Sequence, residues 1–216
     1  MTLKKGLFIS FEGIEGVGKT TQIERCERYL VDKGYSVLVT KEPGGTAFGL
    51  IIRKIILDVT TSFKSKYTEV LLFLADRLEH VEQVIKPGLA DGKIVLCDRF
   101  VDSTIAYQKA GRGISDSIIT LLNSLVDIMP HRTILLDLDP EIGLMRAKNR
   151  AELDRFEKET IDFHHRIRAG YLEQYRQEPS RIEKVDVEGL DPDAVFEKIA
   201  LILDDVVSRN NIKQEG

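Results

Sequence analysis

Cysteine is scarce in this sequence of 216 residues, and long apolar runs are missing. Cys26 and Cys97 are far apart and lack metal-ligand spacing, which argues against a disulfide framework and favours a reducing compartment. No apolar stretch approaches the roughly 20 residues of a membrane span. The run Leu7–Phe11 is too short for a signal peptide. These absences predict a cytoplasmic protein that does not enter a membrane.

An excess of positive charge is also missing. Lys and Arg number 31 against 35 Asp and Glu, so the net charge is −4. Binding to nucleic acids or membrane surfaces in general needs a strong basic field. We therefore expect neither kind of partner, and any phosphate site must be built locally. The 31% charged and 43% hydrophobic content is typical of a soluble globular protein.

Short apolar runs alternate with helical patterns along the chain. The predicted strands are residues 7–11, 35–40, 93–97, 132–138 and 182–187. The first predicted helix follows the first strand and ends at Gly34, and another begins at Pro140. The other predicted helices cover residues 48–57, 69–85, 116–126, 157–177 and 192–207. Such alternation predicts a parallel five-stranded sheet in a three-layer α/β/α fold. We predict a single domain over residues 1–216 with a polar tail at 208–216, and ligands beyond the carboxyl ends of the strands.

The end of the first predicted strand carries a complete phosphate-binding motif, G-x-x-x-x-G-K-[ST], followed by an amphipathic helix. Its glycines let backbone N–H groups surround an anion, and the helix N-terminus adds positive potential. Lys19 is expected to bring a full charge to the β- and γ-phosphates, and the Thr20 hydroxyl can ligate Mg²⁺. A glycine-rich turn with a solvated lysine is the alternative. The predicted ATP-binding residues are Gly13, Ile14, Glu15, Gly16, Val17, Gly18, Lys19, Thr20 and Thr21.

The third predicted strand ends in Asp98-Arg99. Asp98 is placed like the acid that organises Mg²⁺ in P-loop enzymes, and Arg99 can bind a phosphate through its fork of donors. The alternative is an Asp–Arg salt bridge without a ligand. A GTPase is not expected, because no N-K-x-D motif follows, and nothing indicates an ATPase motor.

Several further segments resemble the thymidylate kinase family, whose members phosphorylate dTMP to dTDP, and the resemblance runs from about residue 6 to 207. The matching segments are Phe11-Glu12-Gly13, Gly18-Lys19-Thr20-Thr21-Gln22, Glu42-Pro43-Gly44-Gly45-Thr46, Phe73-Leu74-Ala75-Asp76-Arg77, Asp98-Arg99-Phe100, Ala106-Tyr107-Gln108 and Leu153-Asp154-Arg155-Phe156-Glu157. The resemblance implies a nucleoside monophosphate kinase-like fold with a short lid near residues 146–158. It also implies ATP as donor, Mg²⁺ as cofactor and a homodimer.

The resemblance further implies a dTMP site. Phe73 would stack on thymine, and Arg77 would donate to its O4 atom; the alternatives are a core residue and a salt bridge with Asp76 or Glu79. The other implied dTMP contacts are Thr104 and Gln108 at the N3 side of the base, Tyr107 against the sugar C2′, Arg53 and Arg99 at the 5′-phosphate, and Glu15 at the sugar or phosphate. The Glu42-Pro43 bond is a candidate cis peptide.

The predicted phosphate loop contains no arginine. Thymidylate kinases place a catalytic arginine either in that loop or in the lid, so the resemblance implies Arg150 or Arg155; a solvated basic face is the alternative. The implied catalytic residues are Lys19, Asp98, Arg99, Arg150 and Arg155. Two other functions remain open from the residues, namely a related kinase with another acceptor and a non-catalytic nucleotide-binding module.

Overall fold

The computed structural model describes residues 6–150, 152–212 and 214, with only the backbone described for Arg150. One sheet holds five strands in the order β2-β3-β1-β4-β5. The strands are β1 Leu7–Glu12, β2 Val37–Lys41, β3 Ile94–Asp98, β4 Arg132–Asp137 and β5 Ile182–Asp186. All four neighbouring pairs are parallel, which confirms the predicted α/β fold.

Burial of the central strands on both faces explains why the middle residues of these strands are largely apolar. Every residue of β1 and β4 is buried, as expected for a parallel sheet covered by helices. Phe8 packs in one hydrophobic cluster, whereas Leu7 and Ile9 pack in another, because successive side chains point to opposite faces. Cys26 and Cys97 are separate buried thiols.

The helices of the described chain lie between these strands and after the last one. They are α1 Lys19–Asp32, α2 Ala47–Leu57, α3 Lys66–His80, α4 Lys86–Ala90, α5 Val101–Thr104, α6 Asp116–Asn123, α7 Pro140–Arg150, α8 Ile161–Gln177 and α9 Pro192–Arg209. Two π-helical segments, Val81–Ile85 and Ile105–Gly111, continue α3 into α4 and extend α5. Within the described ranges, no helix is both long and apolar enough to cross a membrane.

The sequence pattern predicted that the helix over residues 69–85 ends before Pro87. In the structure, this helix continues to Ala90. Proline has no N–H to donate to the carbonyl four residues back. The preceding turn widens instead, and Lys86 donates its N–H to the carbonyl of Val81, five residues away. A π-helical turn therefore accommodates Pro87, and the helix continues past it.

The helical segment over residues 101–111 was not predicted. Its first turn has the sequence Val-Asp-Ser-Thr, and these residue types have little intrinsic preference for helices. Packing against α8 compensates: a Cβ atom at Gly170 would lie 2.8 Å from the Cβ of Ala110 and 3.2 Å from the Cα of Ala106. Close approach of two helices at a glycine therefore supports a helix that local propensity does not favour.

Candidate active site

A cavity of about 800 Å³ opens beyond the carboxyl ends of the strands, where a parallel sheet is expected to bind ligands. The predicted site residues that line it are Glu15, Gly16, Gly18, Lys19, Thr20, Thr21, Arg53, Phe73, Arg77, Asp98, Arg99, Thr104, Tyr107 and Gln108. The structure thus brings both predicted nucleotide-binding sets to one cavity. Gly13, Ile14, Val17 and Arg155 are not among the lining residues.

The phosphate loop between β1 and α1 has a backbone that only glycine readily adopts. Gly13, Gly16 and Gly18 all have positive φ angles, and a Cβ atom at Gly16 would lie 2.0 Å from the carbonyl oxygen of Gly143. Lys19 Nζ donates to the carbonyl oxygens of Gly13 at 3.1 Å and of Ile14 at 3.0 Å. Burial and the nearby charge of Arg99 lower the pKa of Lys19 to about 8.

Glu15 lies within the loop, and its carboxylate contacts three side chains. Arg99 Nη2 lies 3.2 Å from Oε1, the Tyr107 hydroxyl donates to the same oxygen, and His164 Nδ1 is 3.6 Å from Oε2. Burial alone raises the pKa of the Glu15 carboxyl. The contact with His164 and the charge of Arg99 outweigh that effect, and the pKa falls to about 2. The loop therefore presents a negative charge to the cavity.

Arg99 is held from several directions. Its Nη1 donates to Gly13 O at 3.0 Å and to the Tyr171 hydroxyl at 3.1 Å. Its guanidinium also lies 5.0 Å from the centre of the Tyr107 ring, within the range of a cation–π contact. These contacts fix a positive charge beside the phosphate loop.

The end of β3 offers oxygen ligands for a divalent cation. Asp98 and Thr20 both line the cavity, and Asp98 Oδ1 is buried without a hydrogen-bond partner in the described chain. The described residues include no group of three or more His, Cys, Asp or Glu that could hold a metal ion. This arrangement fits Mg²⁺, which commonly binds to one or two carboxylates together with substrate phosphates and water.

The turn after β2 anchors the opposite part of the cavity through a cis Glu42-Pro43 peptide bond, as predicted. Glu42 accepts from Arg77 Nε at 2.7 Å and contacts His80 Nδ1 at 2.9 Å. Arg77 therefore pairs with Glu42 and not with Asp76 or Glu79, the partners of the alternative interpretation. Arg53 donates to Pro43 O at 2.9 Å and completes this part of the lining.

Arg77 and its neighbours form a buried polar wall. Arg77 is 2% exposed; its Nη1 donates to Thr104 Oγ1 at 2.6 Å and its Nη2 to Phe100 O at 2.9 Å. Phe73 lies one helical turn before Arg77, lines the cavity and also packs on the main core. Its ring centre is 6.0 Å from that of Phe156. Phe73 is therefore a residue of the core edge that also faces the cavity, and its stacking on thymine stays a prediction.

The segment between α7 and α8 is fixed to α2. Asp154 Oδ1 accepts from the backbone N–H groups of Phe156 and Glu157, both at 2.9 Å. Arg155 Nε donates to Ile56 O at 2.6 Å, and its guanidinium pairs with Glu69 at 2.7 Å. Arg155 thus points to a cluster behind the cavity in this structure, whereas the side chain of Arg150 lies outside the described part.

Three buried residues that contact the site were missed in the sequence. His164 and Tyr171 are seven residues apart on α8 and reach Glu15 and Arg99. Glu69 is four residues before Phe73 and eight before Arg77. These spacings place residues on one helical face, so periodicity combined with the known site positions could have identified them.

Comparisons with known proteins agree with this geometry. The family model for thymidylate kinase matches residues 11–199. The thymidylate kinase of Nostoc punctiforme is 48% identical over 202 residues, covering 92% of this chain and 95% of that protein. The thymidylate kinase of Maridesulfovibrio salexigens is 46% identical over 202 residues, or 89% of this chain and 93% of that protein.

A crystal structure of thymidylate kinase from Ehrlichia chaffeensis superposes with a TM-score of 0.75 at 33% identity, covering 93% of this chain and 99% of that one. The agreement in sequence and fold extends over nearly the whole length. The chain therefore belongs to the thymidylate kinase family, nucleoside monophosphate kinases that transfer a phosphoryl group from ATP to dTMP.

Proposed function

We propose that the cavity performs in-line transfer of the γ-phosphoryl group of ATP to the 5′-phosphate of dTMP, giving dTDP and ADP. The observation that carries the proposal is that the phosphate loop and the wall formed by Phe73 and Arg77 line the same cavity. Its volume of about 800 Å³ is within the range of small-ligand sites. Donor and acceptor would therefore meet between Lys19 and Arg99.

The phosphate ends of both substrates would be held by separate cations. Residues 13–21 would bind ATP, with Lys19 at the β- and γ-phosphates. Arg53 and Arg99 would bind the 5′-phosphate of dTMP, since both line the cavity beside Asp98. A forked guanidinium suits a phosphate because it donates two parallel hydrogen bonds.

The nucleoside of dTMP would lie between α3 and the segment 101–111. Phe73 would stack on thymine, Arg77, Thr104 and Gln108 would contact the edge of the base, and Tyr107 would contact the sugar C2′. Glu15 hydrogen-bonds to Tyr107, which supports its placement near the sugar or the acceptor phosphate. All these side chains line the cavity.

Thr20 and Asp98 would hold Mg²⁺ together with the phosphates of ATP. When bound, the ion neutralises charge on the phosphate oxygens and helps to align the transferred group. The partnerless Asp98 Oδ1 supports this assignment, because a buried carboxylate oxygen ordinarily has a polar partner.

An arginine of the lid would complete the charge around the transferring group. Arg150 and Arg155 remain the candidates, because the phosphate loop has no arginine. Arg155 could act there only after leaving Ile56 O and Glu69, with which it interacts in this structure. Closure of the lid would also exclude water and limit hydrolysis of ATP.

A homodimer and a cytoplasmic location complete the proposal. Large apolar side chains are exposed on α2 and α3, which pack side by side; they are Phe48, Ile51, Ile55, Tyr67 and Leu71. A second copy of the chain would cover them. Size-exclusion chromatography with light scattering should give twice the mass of 24.5 kDa, and Ile51→Glu should reduce it. The two free thiols fit a reducing compartment such as the cytoplasm.

Two variants test the site. Lys19→Ala should abolish turnover without unfolding the protein, because the lysine meets charge on the β- and γ-phosphates. Phe73→Ala should raise the KM for dTMP and leave that for ATP nearly unchanged, since stacking on one base is worth ~1–3 kcal/mol. A coupled assay with a panel of nucleosides and monophosphates measures both. Normal turnover by folded Lys19→Ala, or an unaltered dTMP KM in Phe73→Ala, would contradict the corresponding assignment.

A further inference from the structure

Glu69 is a buried acid of α3 that does not itself line the cavity. Its carboxylate accepts from Arg112 Nε at 3.1 Å and pairs with Arg155 Nη2 at 2.7 Å. It also accepts from Gln108 Nε2 at 3.3 Å. Two guanidinium groups thus neutralise Glu69, and its third partner is a side chain of the cavity wall.

The charge of Glu69 determines which end of the Gln108 amide enters the cavity. The carbonyl and NH₂ ends of an amide have nearly the same shape, so their hydrogen-bond partners decide the orientation. A carboxylate has no proton and can only accept. Gln108 must therefore turn its NH₂ group to Glu69. Its carbonyl oxygen has no partner among the described residues and is left as an acceptor on the side of the cavity.

The neighbouring polar groups present donors. Arg77 has only N–H donors, and two of its five remain unused after its bonds to Glu42, Thr104 and Phe100. Thr104 accepts from Arg77, so its own proton is available to donate. The wall therefore combines donors at Arg77 and Thr104 with one acceptor at Gln108.

This pattern matches the edge of thymine and opposes that of cytosine. Thymine carries acceptors at O4 and O2 on either side of the N3–H donor, whereas cytosine has an amino donor at C4 and a bare acceptor at N3. We propose that Glu69 is a positioning residue for base selection: it holds the Gln108 amide so that the carbonyl oxygen faces N3–H. This inference rests on the proposed placement of thymine against Gln108.

Without the Glu69 carboxylate, the Gln108 amide is free to turn by 180° and offer its NH₂ group to a bare N3 atom. The pocket then loses most of its preference for a protonated N3, as in thymine, over a bare N3, as in cytosine. Pairing two donors or two acceptors in a buried site leaves both unsatisfied, which is the costly case. We therefore expect discrimination between the two bases to decrease about tenfold, since a tenfold change corresponds to the free energy of roughly one hydrogen bond.

The test measures kcat/KM for dTMP and for 5-methyl-dCMP, which keeps the methyl group and differs at N3 and C4. In Glu69→Gln, the amide at position 69 can accept or donate, so Gln108 is no longer fixed. The ratio of the two kcat/KM values should decrease about tenfold, mainly through a higher KM for dTMP. The KM for ATP should stay near wild type.

Arg112→Gln is the matched control. It removes one cation from the same cluster but keeps the Glu69 carboxylate, so the preference for dTMP should remain. Glu69→Asp keeps the charge and withdraws the carboxylate by one methylene group, and should also lower the ratio. This second variant decides the question if Glu69→Gln does not fold.

Gln108→Met separates failure of this inference from failure of the site. If Gln108→Met leaves the KM for dTMP unchanged, thymine does not lie against Gln108. If Gln108→Met raises that KM while folded Glu69 variants keep the wild-type ratio, the site stands and the role of Glu69 is refuted. An equal loss of preference in Arg112→Gln would also overturn the inference, because general disruption of the cluster would then explain it.

Discussion

Arg99 has a φ angle of 71°, a backbone conformation that costs free energy in a residue with a side chain. Its N–H donates to Phe11 O at 3.0 Å, and its guanidinium bonds to Gly13 O and to the Tyr171 hydroxyl. These contacts offset the cost and direct the charge into the cavity. The position is therefore specified by partners on β1 and α8 and not by the local sequence.

The single residue Glu15 leads to a prediction on how the free energy of unfolding depends on pH. Its pKa in the folded protein is about 2, below the ordinary value of 4.5, so its ionisation stabilises the fold above pH 4.5. That stabilisation, on the order of 3 kcal/mol, is lost as the pH falls towards 2. Urea unfolding from pH 7 to 3 should show wild type more stable than Glu15→Gln at pH 7, with the difference shrinking in acid.

The exposed Glu141 provides the control for that series. Glu141→Gln should change the free energy of unfolding by less than about 0.5 kcal/mol at each pH. A constant difference between wild type and Glu15→Gln across the whole series would show that the Glu15 charge does not contribute as its surroundings indicate.

Tyr107 carries the prediction for the sugar. Its ring is buried and contacts the guanidinium of Arg99, and its hydroxyl contacts Glu15. If the bulk of the ring excludes a 2′-hydroxyl, Tyr107→Phe should keep most of the preference for dTMP over UMP and ribothymidine monophosphate. Tyr107→Ala should accept these ribonucleotides better. Steady-state kinetics with the three acceptors measure this, and equal rejection of ribose by the alanine variant would remove the proposed filter.

At the scale of elements, the segment between α7 and α8 joins two parts of the molecule. Its Arg155 bonds to Ile56 O near the end of α2, and the Arg155 N–H bonds to Leu57 O. The same side chain pairs with Glu69 of α3. Arg155 can therefore leave this position only if its hydrogen bonds to α2 and its ion pair with α3 are broken.

The lid arginines should affect kcat. Removing a donor that acts on the transition state typically lowers the rate by 10²–10³. Arg150→Ala and Arg155→Ala should both be impaired, at least one of them to this degree, while the affinity for dTMP in calorimetry stays nearly unchanged. Lys148 is an exposed cation on α7, the helix that ends at Arg150, so Lys148→Ala is the control and should turn over normally. If both arginine variants turn over normally, neither arginine acts on the transferring group.

At the scale of the whole molecule, a buried ion pair joins distant parts of the chain. Arg181 lies just before β5 and contacts both oxygens of Asp102, at 2.7 and 2.8 Å. Asp102 also accepts from Thr133 Oγ1 at 2.9 Å. The carboxylate is 1% exposed, so it depends on these partners to offset its lost hydration.

Arg181→Ala should destabilise the protein by about 3–5 kcal/mol, because it leaves the Asp102 charge buried and unpaired. Arg176→Ala is the comparison, since Arg176 forms an exposed pair with Glu173 and such pairs contribute about 0–1 kcal/mol. Urea denaturation of the two variants measures both values. Similar small losses in the two would show that the buried pair contributes little.

The sequence by itself determined the features that depend on local patterns. The glycines and Lys19 of the phosphate loop, the five strands and the cis Glu42-Pro43 bond were predicted close to where they lie. These succeed because backbone conformation and burial periodicity are properties of neighbouring residues. The resemblance implied residues for a base pocket, and these residues line the cavity, although their contacts with a base stay a prediction.

Only the tertiary structure decided the order of the strands, the helical segment 101–111 and the partners of the site residues. Arg77 meets Glu42 across 35 positions, and Arg99 meets Tyr171 across 72. Glu69 reaches Gln108 across 39. Such pairs form where packed helices and strand ends converge, and their formation depends on burial and charge compensation in three dimensions. Local propensity contains no information on these distances, so the orientation of each polar group in the cavity follows from the fold.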